Sequence, residues 1–191
     1  MKESKATLSA SPLPTGHFGQ SIERFNRYAL RLTRPGPCWL VTSVKIGFAM
    51  KALGIVVGTV VAVAASALGY DTQASSPNRG VLEPAFLGLV LAPLIETAQI
   101  WLVHALIRRW LGLTGFVLVS TLLAYAGHYT PDSVPISAAF GFCVMSYQYV
   151  SFRGDIGAGR AFAGVAVSHA AYNSIAALVV TAESVLGRNI V

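Results

Sequence analysis

An all-α, polytopic transmembrane helical bundle of about five spans, preceded by an amphipathic helix, is the fold class this sequence predicts. Three observations lead there. The chain of 191 residues is 54% hydrophobic and 12% charged, about half the charge of an ordinary soluble domain, and its mean hydropathy is +0.60. Its apolar residues gather in runs long enough to cross a ~30 Å hydrocarbon layer at ~1.5 Å per helical residue. Its Lys and Arg residues collect at one end and in short connections, the pattern of the positive-inside rule.

Taken in order, residues 1–18 are polar, contain Pro12 and Pro14, and lack the apolar core of a cleaved signal peptide, so a flexible tail is expected. From Ser21 to Thr33, Ile22, Phe25, Ala29 and Leu32 fall at helical spacing with Arg24, Arg27 and Arg31 on other faces. An interfacial helix on an anionic leaflet and a helix packed on its own bundle both fit that pattern. Arg34-Pro35-Gly36-Pro37 then ends it, because proline removes a donor and disfavours helix in the residue before it. Residues 1–40 are thus read as a cytoplasmic tail and interfacial helix, and 41–191 as one transmembrane domain.

Within that domain the expected spans are Ala52–Tyr70, Pro84–Ile107, Leu113–Tyr129, Val134–Phe152 and Ala161–Val185. The run Cys38–Met50 is apolar but interrupted by Lys45, and either extends the first span or lies at the interface. Asp71–Gly80 is a polar, turn-rich loop. The formal charge of +6 argues for membrane orientation and against a nucleic-acid surface. Basic residues through Lys51, then Arg108 and Arg109, then Arg153 and Arg160 fall on one side, with only Arg79 and Arg188 on the other. The rule then places the N-terminus in the cytoplasm, the C-terminus outside, and five crossings between them in a multi-pass protein of the cell inner membrane. Cys38 and Cys143 form no metal-binding spacing.

Within the central stretch Leu82–Trp110, the run Pro84–Ile107 holds a single charge, Glu96, near the middle of an otherwise uncharged span. Inserting a carboxylate there costs ~2.5–3.5 kcal/mol on insertion scales, so it is expected to face a protein interior or a wet cavity. His128 ends the third span, and His169 with Asn173 shares one face of the fifth, four residues apart. A structural role as interhelical glue also fits that last pair in isolation. Gln99 either orients Glu96 or satisfies a neighbouring helix, and Tyr125 reads as packing. His104 near Arg108 reads as interfacial, and His17 belongs to the tail.

This order, with Glu on one span, His on the next, an intervening span, then His-x-x-x-Asn, resembles the CPBP family. That family comprises intramembrane proteases related to the type II CAAX-prenyl endopeptidase and to Abi-like bacteriocin-processing and immunity proteins. Its P-x-x-E-E-x-x-x-R motif is met by Pro93-Leu94-Ile95-Glu96-Thr97 with Trp101 at the arginine position. Its F-x-x-x-H is met by Ala124 through His128, and its H-x-x-x-N/D by His169 through Asn173. The resemblance covers residues 84–183 and departs from the family at Thr97, Trp101 and Ala124.

What the resemblance implies is a metal-free endopeptidase acting on a membrane-associated or processed peptide or protein. Glu96 would be general base toward a water held with His128, and His169 and Asn173 would donate to the oxyanion. Zinc held by Glu96, His128 and His169 is the second reading, and a non-catalytic membrane protein of the same fold, with an immunity or scaffold role, is the alternative. A transporter is disfavoured, because neither an internal repeat nor paired interrupted spans is visible. Substrate identity and oligomeric state are not written in the chain.

Overall fold

The structure, a computed structural model, describes residues 17–67, 86–129 and 135–186. All regular structure among the described residues is helical. The order is α1 (His17–Leu32), α2 (Trp39–Ala67), a π-helical turn (Leu87–Leu91) running into α3 (Ala92–His128), α4 (Ile136–Ile156) and α5 (Ala158–Leu186). The expected loop at 71–80 lies outside the described residues, as does the tail up to residue 16.

Helix α1 begins at His17, ahead of the expected Ser21, and it docks on the bundle. Asn26 donates to Thr114 Oγ1 (2.9 Å) and accepts from the Tyr147 hydroxyl (2.6 Å), while Ser151 Oγ donates to the Leu30 carbonyl (3.2 Å). The apolar stripe read from spacing divides into two edges. Ile22 and Ala29 are half-buried, whereas Phe25 and Leu32 join Phe18 and Tyr28 on the exposed side. Both readings of the helix therefore keep an observation in their favour.

Helix α2 takes in the whole Cys38–Met50 run apart from Cys38 itself, so the first long helix starts at Trp39 rather than at Ala52. Lys45 is accommodated by facing outward. Along the opposite face α2 meets α5 so closely that a Cβ at Gly47 would collide with the Ser168 carbonyl and the Ala171 methyl. Small residues allow that approach where no hydrophobic force drives helices together. A buried polar network fastens the same contact: Ser168 Oγ donates to the Ser43 carbonyl of α2 (2.8 Å), and Gln148 of α4 donates to Ser168 Oγ (2.8 Å).

The 37 residues of α3 are two helices folded back at Gly112, whose φ of 66° and ψ of −167° interrupt the helix. That φ/ψ region belongs almost exclusively to glycine. An unbroken helix from Leu87 to His128 would run ~63 Å, twice the hydrocarbon thickness. Folding back divides it at nearly the point where the second and third spans were expected to part. Gly157, at φ 90°, makes the joint between α4 and α5. The core lies between the helices, around Ile100, Phe116, Phe142, Tyr149, Phe152 and Val165, each at most 2% exposed.

Among the described residues two stretches, Trp39–Val61 and Leu87–His128, are long and apolar enough to cross a membrane. Their outer faces carry Phe48, Val56 and Val60 on α2 and Ile95, Leu102 and Leu106 on α3, all exposed.

Candidate functional site

Glu96 and His128 are 32 residues apart in one element, and both lie 16 residues from Gly112. A fold-back centred on that glycine sets them level. Glu96 Oε1 stands 3.6 Å from His128 Nε2, and Glu96 Oε2 stands 3.6 Å from His169 Nε2 on α5. Each carboxylate oxygen thus faces one imidazole, at a separation longer than a direct hydrogen bond. Asn173, one turn beyond His169, lines the same cavity of about 360 Å³. The four residues singled out from sequence meet around it. The cavity has room for several waters at ~30 Å³ each.

The surroundings fix the orientation of each group. His128 Nδ1 lies 2.9 Å from the Ala124 carbonyl, one turn back. That nitrogen must donate, because a carbonyl only accepts, so the Nε2 of a neutral ring presents a lone pair toward Glu96. Two acceptors then converge, and a water between them can donate to each. His169 is 5% exposed, its Nδ1 has no hydrogen-bond partner among the described residues, and its ring stands edge-on to Phe142 and Tyr172. Phe142 also stands edge-on to His128, forming an apolar wall shared by the two imidazoles. The Gln148–Ser168–Ser43 network, next in sequence to His169, holds that part of α5 against α2 and α4.

Asn173 has a second occupation. Its Nδ2 donates to the Gly88 carbonyl at 2.7 Å, in the π-helical turn ahead of α3. Ala92 N–H is spent on the Leu87 carbonyl, the i→i+5 step of that turn. In this register the Gly88 carbonyl would next be met by residue 93, but Pro93 has no N–H. Asn173 supplies the missing donor, and its other amide hydrogen is left for the cavity.

Among the cavity residues that the sequence reading gave no place in the site are Tyr172 and Lys51. Lys51 was counted only as a charge at the edge of the first span. The earlier start of α2 puts it 12 residues, ~18 Å, into the helix. Its run of apolar neighbours was the available signal. Tyr172 lies between the two motif residues His169 and Asn173, and the aromatic was masked by them.

The residues set aside in sequence lie elsewhere. Gln99 is half-buried, makes no hydrogen bond among the described residues and does not line the cavity. Tyr125 packs on Tyr129. His104 contacts Arg153 Nη1 at 3.0 Å and stands edge-on to Phe116 and Tyr149. Thr97, at the second-glutamate position, is fully buried, and Trp101, at the arginine position, is 46% exposed on the outer face. Compared with family models, curated proteins and solved structures, the chain matches none.

Proposed function

We propose that this protein is an intramembrane endopeptidase of CPBP type, a five-crossing bundle that hydrolyses a peptide bond of a membrane-associated substrate. The observation that carries the reading is the Glu96 carboxylate with one imidazole Nε2 at 3.6 Å from each oxygen, on the wall of a cavity shared with Asn173. Exposed Leu, Ile, Val and Phe side chains on the outer faces of α2 and α3 support a bilayer setting. In the proposed reaction Glu96 takes a proton from a water lying between it and His128. The resulting hydroxide attacks the scissile carbonyl. His169 and the free amide hydrogen of Asn173 donate to the oxyanion, and Glu96 returns its proton to the amine that leaves.

The test is cleavage of a peptide library by the purified protein in detergent, beside Glu96→Gln and His169→Ala. Loss of the base is expected to cost ~10²–10⁴ in turnover, and loss of a donor ~10²–10³. Equal cleavage by all three proteins, or cleavage by none, removes the endopeptidase reading and leaves a non-catalytic fold. Chelator inhibition reversed by zinc would instead make Glu96, His128 and His169 metal ligands.

A further inference from the structure

We infer that Lys51 reads a carboxylate on the substrate, from the seam between the Glu96 cavity and a second groove along α2. The inference deepens the endopeptidase reading by naming what the site binds. Lys51 is half-buried in an apolar helix, and its ammonium lies 4.7 Å from the centroid of the Tyr172 ring. Among the described residues it makes no hydrogen bond and no ion pair, and the Glu96 oxygens are turned to the two histidines instead. An ammonium removed from water without an anion is costly, and a ring face compensates only part of that cost. Bundle-facing cations in membrane helices therefore pair with something, and among the described residues no carboxylate forms an ion pair with Lys51.

The geometry says where that anion arrives. A groove of about 300 Å³ runs along α2 past Gly54, Ile55, Gly58 and Thr59, and it shares Lys51, Ser137 and Tyr172 with the catalytic cavity. Gly54 and Gly58 are one turn apart on a single face. A Cβ at Gly58 would meet nothing within 4 Å, and one at Gly54, which is buried beside Tyr172 and Ser137, would make only ordinary contact with those two. Among the described residues nothing fills the strip at Gly58, leaving space there for an extended apolar segment. A peptide lying there passes Lys51 before its backbone reaches Glu96. Three N–H donors on a flexible stem suit a carboxylate, either the C-terminal one or that of an acidic side chain.

Binding separates this from catalysis. A fluorescein-labelled apolar peptide is titrated into the Glu96→Gln protein in three forms: free C-terminal carboxylate, C-terminal amide, and C-terminal amide with one internal Glu. At least one anionic form is expected to bind about tenfold more tightly than the uncharged amide. The form that does so identifies the source of the carboxylate. Lys51→Met and Lys51→Gln should erase the difference while the uncharged amide binds as before, and Lys51→Arg should keep most of it. Equal binding of all three peptides, no binding of any, or a preference that survives both neutral variants overturns the inference. Cleavage by the wild-type protein without charge preference would sink it alone, and charge-selective binding without cleavage would sink the endopeptidase reading alone.

Discussion

Pro93 brings no N–H to the start of α3, and in the π-helical register it leaves the Gly88 carbonyl to be met by Asn173 at 2.7 Å. Leaving a fully buried carbonyl unmet costs ~1–3 kcal/mol, and Gly88 is partly buried, so Asn173→Ala should lower stability by about the lower end of that range. The same substitution in a Pro93→Ala background should cost less, because residue 93 then carries its own donor. Thermal unfolding in detergent across the four proteins of this cycle measures the coupling, which should exceed ~0.5 kcal/mol. Purely additive losses would mean that the amide and the proline are unrelated. The spacing of His169 and Asn173 in the sequence placed both on one helix face, and both line one cavity. It did not reveal that half of Asn173 is committed to backbone, since that depends on the register of a turn more than eighty residues away.

At the level of elements the joints decide which residues meet. The pair Arg108-Arg109 marked the break between the second and third spans, but Gly112 and Gly115 stand close together there and spacing does not choose between them. The left-handed φ at Gly112 does. Gly112→Ala should therefore cost ~1–3 kcal/mol through strain at a position other residues rarely adopt, and should also depress the proposed peptide cleavage by pulling Glu96 and His128 out of level. Gly127→Ala provides the contrast, because Gly127 is helical and exposed and a Cβ there meets nothing within 4 Å. It should be neutral or stabilise by up to ~1 kcal/mol. Equal loss from the two substitutions, read by unfolding in detergent, would argue against a conformational role for Gly112. The start of α2 shows the converse limit: Lys45 made the Cys38–Met50 run look ambiguous, yet one outward-facing cation is no obstacle to a helix, and hydropathy alone does not report which way a lysine points.

Across the whole molecule the joints and the site occupy different levels. Gly112, Gly157 and the α1–α2 connection share one end, tied by Asn26 to Thr114 and by Arg34 to Asp155 at 2.9 Å. Arg108, Arg109, Arg153 and Arg160 are within four residues of those joints. Counted from that end, Lys51, Glu96, His128, His169 and Asn173 lie 11–16 residues in, or ~17–24 Å at the helical rise. That depth runs from just beyond the middle of a ~30 Å layer to ~6 Å short of its far face. If the basic end is cytoplasmic, as the charge rule requires, the site lies in the outer half and His128, 42% exposed, is nearest the outside. Substrate would then reach the cavity from the outer leaflet, opposite the docked α1. Cys38 tests the orientation with a native side chain, because it is exposed beside the basic end. In a Cys143→Ser background, a membrane-impermeant maleimide should leave intact cells unlabelled and modify Cys38 in inverted vesicles. Labelling of intact cells would reverse the protein in the bilayer and turn the cavity toward cytoplasmic substrates.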